Sequence, residues 1–396
     1  MQRIVIVYFD AGGGHRAAAR ALAEGIRQQG RPWQVISLNL DDVLEPADPI
    51  YRATGVRGGE IYNRALRMGW TAGSAQVIPI MHGVIRIMHS LQVRLLRECW
   101  RRLRPDLVVS VVPHLNRALF ESLRAEDSRT PFVTVVTDIA DYPPHFWFEP
   151  QDQHFICGSE RARQQARALG VRPERIWAVS GMVLHPRFYE IIHADRAAER
   201  RRLGLHAARP TGLVLFGGHG SQAMVQIARR LSACRRELQL IFLCGRNQKL
   251  VRRLRSLALP FPAHVEGFTE DVARYMWLSD FFIGKPGPGS VSEALAMRLP
   301  VIVQTGVRTL AQERYNVEWI RQQGVGIPIR SLRAVPRAVE ELLRPPVRRR
   351  MLRNIGKLNN RAVFEIPEIL NQIAFGQTGR TTNAPGRTSS RYSLLA

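Results

Sequence analysis

The sequence predicts an α/β protein of two Rossmann-like domains facing a central cleft. Three observations carry this. Short β-branched apolar runs alternate with helical stretches, the alternation is played through twice along the chain, and glycine-rich turns follow strands in both halves. In sheets built this way ligands sit beyond the carboxyl ends of the strands, so the loops that follow strands are where function is to be sought.

The first series opens with "RIVIVYF", the composition of a buried parallel strand. It runs into "DAGGGHRAAARAL", where Ala18, Leu22 and Ile26 recur at helical spacing. Gly12, Gly13 and Gly14 therefore form a strand-to-helix turn with no Cβ, which lets an anion or the polar end of an acceptor approach the helix N-terminus. The pattern is not G-x-G-x-x-G and no acidic residue follows a second strand at the dinucleotide spacing, which disfavours a nicotinamide enzyme. "WQVISL", "DLVVSVV", "FVTVVT", "HFIC" and "IWAVS" continue the series. The second series is "GLVLFGG", "LQLIFLCG", "AHVEGF", "DFFIG" and "PVIVQ". Between them lies a charged, Ala-rich connection, which divides the chain into a domain at 1–190, a linker at 191–210 and a second domain at 211–363. Residues 376–396, "GQTGRTTNAPGRTSSRYSLLA", have no hydrophobic period before the final "LLA" and read as a disordered tail.

The 57 basic and 33 acidic residues leave a net charge of +24, almost all of it arginine. Such an excess attracts nucleic acid, an anionic membrane surface or phosphorylated substrates. Nothing resembles a helix-turn-helix, a zinc finger or an RNP pattern, so nucleic acid is set aside as a partner. Cys99, Cys157, Cys234 and Cys244 are widely spaced without C-x-x-C or Cys/His spacing, as in reduced core thiols of a cytoplasmic protein. A strand begins within three residues of Met1, leaving no room for a signal peptide, and no apolar run reaches the ~18 residues of a spanning helix. Any membrane contact is then made from the surface. Its candidate is the segment 61–104, with eight arginines against Glu98 alone. At 100° per residue Val84, Ile87, Met88, Leu91 and Leu95 share one face, opposite Arg86, Arg94, Arg97 and Arg101. That face either packs in a core or lies on lipid.

In the second half "FGGHG" ends a strand and opens a helix, exposing N–H groups for an anion near Gly218. "GKPGPGSVSEAL" is expected to cap the next helix with Ser290, with Glu293 completing a capping box. Pro288 and Gly289 shape the turn, and Lys285 adds a compact positive charge, together suggesting a diphosphate site. No Lys-Ser/Thr pair ends the glycine run, so this is not a P-loop.

In order, "DAGGGHRAAARAL", "VVTDIADYPPHFWFEP", "VSGMVLHPRF", "CGRN", "GFTEDVARYM", "GKPGPGSVSEAL", "QERYN" and "AVFEI" resemble the monogalactosyldiacylglycerol and diglucosyldiacylglycerol synthase family, relatives of the bacterial lipid II-forming glycosyltransferase. The resemblance covers residues 10 to about 370. It implies the GT-B fold, a first domain that takes the lipid acceptor, a second that takes a UDP-sugar, and a helix at 364–375 crossing back to the first domain. It also implies an inverting hexosyl transfer to a lipid, diacylglycerol first, by an enzyme peripheral on the inner face of the cytoplasmic membrane. The donor contacts it implies are Gly218, the turn Phe268, Thr269, Glu270, Asp271 and Val272, then Lys285, Pro288, Gly289, Ser290 and Glu293, and "QERYN" with Gln312 and Glu313, the latter on the ribose hydroxyls. His15 falls on the family's acceptor-loop histidine and is the first choice of general base, with Asp138 or Asp10 as the rival. No D-x-D motif sits beside an apolar strand, and no metal or other cofactor is expected if helix N-termini and Lys285 stabilise the leaving UDP.

Two departures are visible: His219 stands where relatives carry a small or acidic residue, and "IADYPPHFWF" holds one extra residue, which blurs the placement of His145. Two other readings share the architecture, a UDP-GlcNAc transferase acting on an undecaprenyl-linked muramyl-peptide and a UDP-sugar epimerase. The first family's longer glycine loops match "DAGGGH" and "FGGHGS" poorly, and the second needs no lipid.

Overall fold

A computed structural model describes residues 1–10, 13–48, 51, 55, 74–142, 145–234, 237–306 and 309–376. Gly12, residues 61–73 of the basic segment and the tail from 377 lie outside the described residues.

The elements of the first domain are β1 (Gln2–Tyr8), α1 (Gly14–Gln28), β2 (Trp33–Asn39), α2 (Leu40–Leu44), α3 (Ser74–Ile87), α4 (His89–Leu103), β3 (Leu107–Ser110), α5 (Asn116–Glu126), β4 (Phe132–Val136), β5 (His154–Cys157), α6 (Glu160–Ala168) and β6 (Ile176–Ala178). After α7 (Arg196–Arg202) come β7 (Thr211–Leu215), α8 (Ala223–Leu231), β8 (Gln239–Leu243), α9 (Gln248–Arg255), β9 (Ala263–Glu266), α10 (Val272–Trp277), β10 (Phe281–Gly284), α11 (Pro288–Ala296), β11 (Val301–Gln304), α12 (Arg314–Gln323), β12 (Gly326–Ile329), α13 (Val335–Leu342), α14 (Pro345–Ile355) and α15 (Ala362–Phe375).

The strands form two six-stranded parallel sheets, ordered β2-β1-β3-β4-β5-β6 and β12-β11-β10-β7-β8-β9. Each order reverses once, between β1 and β3 and between β7 and β10. A crevice opens at such a reversal, because the helices that follow the two central strands leave on opposite faces. The four loops after β1, β3, β7 and β10 are therefore the ones the topology places at the two crevices.

All five residues of β4, β7 and β8 are buried, as expected of central strands covered by helices on both faces. Strand β12 was not anticipated from the sequence, since Gly326 and Pro328 dilute its apolar run. It is an edge strand, where proline interrupts no ladder on its far side.

The basic segment differs from the single amphipathic helix expected. A turn at Met88 separates α3 from α4, yet the hydrogen bonds Met88 N–H to the Val84 carbonyl (3.0 Å) and Gln92 N–H to the Met88 carbonyl (3.0 Å) carry the helical path across it. In α4 the buried face is Gln92, Leu96, Cys99 and Trp100, with Trp100 donating Nε1–H to Ser122 Oγ of α5 at 2.8 Å. Arg97 and Arg101 both bind Glu126, at 2.5 and 2.8 Å. What stays exposed is on α3: Val84, and Ile87 at 82%, beside Arg86.

Two of the contacts that hold the parts of the chain together come from α7 and α15. In α7, Arg200 donates to Asp280 Oδ2 (2.8 Å) and the Leu278 carbonyl (2.9 Å), which docks the linker helix on the second domain. Helix α15 returns to the first domain, burying Ala362, Ile366 and Leu370 with Ile4, Ile6, Leu22 and Ile26. Gly25 of α1 allows this approach: a Cβ there would lie 2.7 Å from the Val363 carbonyl oxygen.

Candidate active site

The acceptor side begins at the β1–α1 turn. Gly13 adopts φ +83° as the N-cap of α1, a conformation open to glycine, and a Cβ on Gly13 or Gly14 would meet no atom within 4 Å. The bare backbone thus faces open space, as a ligand-approach turn requires. One residue on, His15 Nδ1 lies 2.9 Å from the Val111 carbonyl of the loop after β3. A carbonyl only accepts, so Nδ1 carries the proton and the Nε2 lone pair is left for a ligand. Burial pushes this imidazole down to about 4, leaving it neutral. Asp10 is committed elsewhere: its Oδ2 receives Arg16 Nη1 at 2.8 Å.

The loop after β4 carries Asp138. Its Oδ2 accepts the Trp147 indole N–H at 2.9 Å, and the Trp147 ring sits 6.0 Å from that of His15. Asp138 is buried, and desolvation raises its carboxyl to about 7. Asp141 braces the same loop by accepting the N–H groups of His145 (3.0 Å) and Trp147 (2.6 Å). His145 is held at φ +64° there. Trp147 and Asp141 were not singled out from the sequence, where an aspartate and an aromatic in "IADYPPHFWF" give no sign of burial.

Across the cleft, Lys285 follows β10 and packs over the turn after β7, its Cε 3.8 Å from where a Cβ of Gly217 would be. Lys285 Nζ donates to Glu313 Oε1 at 2.7 Å. The capping box expected at Ser290 is not formed. Gly287 is the N-cap and Pro288 occupies N1, which starts α11 earlier and leaves Ser290 inside the first turn and Glu293 in the second. Proline supplies the preset φ at N1, so the hydroxyl is not needed as a cap. Glu293 is half-buried without a hydrogen-bond partner among the described residues, and desolvation alone raises it to about 7.

Asp138 feels the charges of Glu313 and Lys285 from across the domains, the first raising its carboxyl and the second lowering it. Pro288, Gly289 and Ser290 form the first turn of α11, and Gln312 stands just before Glu313 in a short 3-10 turn. Gly218 meets the next loop, its carbonyl accepting from Arg246 N at 2.9 Å. Phe268 and its neighbours form an outer flank. Phe268 is 52% exposed with the Arg246 guanidinium 4.9 Å above its ring. Asp271 caps α10 through Arg274 N (3.3 Å), Thr269 Oγ1 accepts Asp271 N (3.0 Å), and Val272 opens the helix. Glu270 reaches the first domain, 3.9 Å from Arg20 of α1.

No group of three or more His, Cys, Asp or Glu among the described residues is placed to hold a metal ion. Cys99, Cys157 and Cys244 are free thiols, and burial pushes Cys157 and Cys244 up to about 12, which makes them poor nucleophiles.

Residues 15–183 match the family model for monogalactosyldiacylglycerol (MGDG) synthase, and residues 212–362 match the glycosyltransferase family 28 C-terminal domain. Among curated relatives, the chloroplastic monogalactosyldiacylglycerol synthase of Spinacia oleracea is 27% identical over 392 residues, covering 94% of this chain and 72% of the relative. Monogalactosyldiacylglycerol synthase 1 of Arabidopsis thaliana is 26% identical over 358 residues, covering 87% of this chain and 65% of the relative. The chain thus spans slightly under two thirds of the Arabidopsis protein. Among solved structures, MurG of Acinetobacter baumannii superposes with a TM-score of 0.60 at 14% identity, over 94% of this chain and all of that one. The UDP-GlcNAc 2-epimerase of Neisseria meningitidis, bound to UDP-GlcNAc, gives 0.59 at 11% identity, over 94% and 100%. At these identities the likeness is one of fold, and with the two parallel sheets it gives the GT-B architecture.

Proposed function

The chain belongs to the monogalactosyldiacylglycerol synthase family of GT-B glycosyltransferases, and on that footing we propose that it moves a hexose from a UDP-sugar to a membrane lipid hydroxyl, diacylglycerol first, with inversion at the anomeric carbon. The observation that carries the reading is Asp138, a buried carboxyl on the acceptor side within the electrostatic reach of Lys285 and Glu313 on the donor side.

Inverting transfer needs a base for the acceptor hydroxyl and stabilisation of the departing diphosphate. A base works best with its proton affinity near the ambient pH. Asp138, raised to about 7, meets that condition, whereas His15 at about 4 binds protons too weakly. We therefore assign removal of the acceptor's single hydroxyl proton to Asp138 and give His15 a shaping role: its neutral ring, held by the Val111 carbonyl beside Trp147, walls the acceptor side. The leaving diphosphate is received by the N–H groups of Gly289 and Ser290 at the start of α11, with Lys285 supplying charge. In this scheme UDP departs without a metal ion. Glu313, the choice for the ribose from sequence, is held by Lys285. Glu293 has both oxygens uncommitted, as a vicinal diol requires, so the ribose is assigned to it and the hexose to Gln312 and Glu313. Uracil has the exposed flank of Phe268 and Arg246.

No helix among the described residues is long and apolar enough to cross a membrane. The exposed apolar side of α3 next to Arg86 supports peripheral attachment to an anionic surface, and the buried thiols of Cys99, Cys157 and Cys244 support the cytoplasmic leaflet. Radiolabelled UDP-hexose offered with and without diacylglycerol vesicles tests the reading. Label extracted into lipid only when diacylglycerol is present supports it; label that changes sugar identity without lipid supports an epimerase instead.

A further inference from the structure

His82 of α3 and His114 of the loop after β3 are 32 residues apart in sequence, yet His82 Nε2 lies 2.8 Å from His114 Nδ1. We propose that His82 is a positioning residue for hexosyl transfer: its hydrogen bond to His114 holds the loop that sets the geometry of both His15 and Asp138.

His114 is at φ +68°, a left-handed conformation that a side chain with Cβ resists. Glycine or asparagine would fill that backbone more easily, so the ring is kept there by what it touches. One edge meets His82, and the ring packs at 73° on Phe146, centroids 4.0 Å apart. The His114 N–H also donates to the Phe146 carbonyl at 2.8 Å. Phe146 adjoins Trp147, which holds Asp138. At the other end of the loop is Val111, whose carbonyl fixes the His15 tautomer. Between these ends, buried Asn116 donates to the Val112 carbonyl at 3.0 Å and accepts from Ser110 Oγ at 2.6 Å. Among the described residues, the hydrogen bond that ties this braced loop to α3 is the one from His82. Desolvation keeps both imidazoles below their ordinary range, so the pair meets as two neutral rings sharing one N–H, without charge repulsion. Because α3 also carries exposed Val84 and Ile87, the same contact joins the proposed lipid-facing helix to the acceptor side of the cleft.

The inference rests on the proposed transferase activity. Its test compares His82→Gln, whose amide nitrogen reaches about as far as Nε2, with His82→Leu, which has no polar atom, and His82→Asn, whose amide falls short of that reach. Initial rates with UDP-hexose and diacylglycerol vesicles give kcat and donor KM, and sedimentation gives vesicle binding. The expected result is a ten-fold or greater fall in kcat for Leu and Asn, donor KM and sedimentation within two-fold of the parent, and recovery to at least a third of parental kcat for Gln. If the Leu variant does not fold, the Asn and Gln pair decides. Leu or Asn variants that match the parent, or a Gln variant as slow as Asn, overturn the inference. A parent that transfers no hexose overturns the proposed function itself, which separates the two failures.

Discussion

Trp147 donates its indole N–H to Asp138 Oδ2 at 2.9 Å while its ring stands 6.0 Å from that of His15. One side chain thus binds the raised carboxyl and neighbours the depressed imidazole. Burial separates the two groups in opposite directions, because it disfavours whichever form is charged.

The acid limb of kcat/KM is expected near pH 7, the value to which Asp138 is raised, and not near 4, the value of His15. A general base works deprotonated, so activity falls as pH drops through its pKa. Trp147→Phe removes a hydrogen bond that favours the carboxylate, and the limb should then move to higher pH. A limb that stays in place in the Phe variant detaches Trp147 from the base, and one near 4 in the parent returns the role to His15.

Glu293→Gln should stabilise the ligand-free protein and weaken donor binding together. The folded-state value of Glu293, about 7 against an ordinary 4.5, means that its stability contribution is full below 4.5 and is lost as pH rises through 7. Each unit is worth ~1.4 kcal/mol, reduced to about 1–2 kcal/mol in all for a partly exposed side chain. The Gln variant is therefore expected to melt higher than the parent at pH 8 and equally at pH 4.5. Loss of hydrogen bonds to a charged group, about 1.5–3 kcal/mol, raises the UDP-sugar KM about ten- to a hundred-fold. An unchanged KM removes Glu293 from the ribose.

Lys285→Met leaves Glu313, whose side chain is 6% exposed, without its ammonium partner. Breaking such a pair costs several kcal/mol when both groups are buried; with Lys285 38% exposed, about 1–2 kcal/mol is expected. Adding Glu313→Gln should restore the melting temperature and leave the donor KM high. Recovery of KM in the double variant would show that Lys285 serves the fold and not the diphosphate.

Membrane binding is expected to depend on α3 more than on α4. Ile87→Glu with Arg86→Glu should weaken sedimentation with phosphatidylglycerol vesicles more than ten-fold, each basic residue near such a surface being worth about 1 kcal/mol. Arg101→Glu, at a residue already paired with Glu126, should alter it much less. Equal effects would place the lipid contact on the whole basic segment.

The strands were legible because a buried parallel strand must be apolar on both faces, and "IVIVYF" or "FVTVV" has no other good use. Both glycine-rich turns were legible for the same reason in reverse, since clustered residues without Cβ, three in a row at 12–14 and three of four at 217–220, are poor helix or strand. The capping of α11 was not: Ser290 with Glu293 fits a capping box as well as Pro288 fits N1, and the backbone of Gly287 decides between them. Nor was the face of α4, because polar Gln92 lies on its buried side, where a count over Leu91 and Leu95 does not look. The opposed shifts of His15 and Asp138 arise from tertiary burial, which no local pattern encodes.

The central claim is transfer of one hexose to a lipid hydroxyl, and mass spectrometry of the lipid extract tests it most directly. Purified protein is incubated with diacylglycerol vesicles and each UDP-hexose in turn, and the anomeric configuration of any product is read by proton NMR. The account predicts a diacylglycerol heavier by one hexose residue and bearing a β-linkage from the α-linked donor. No hexosylated lipid with any UDP-hexose, or a retained α-linkage, would contradict it.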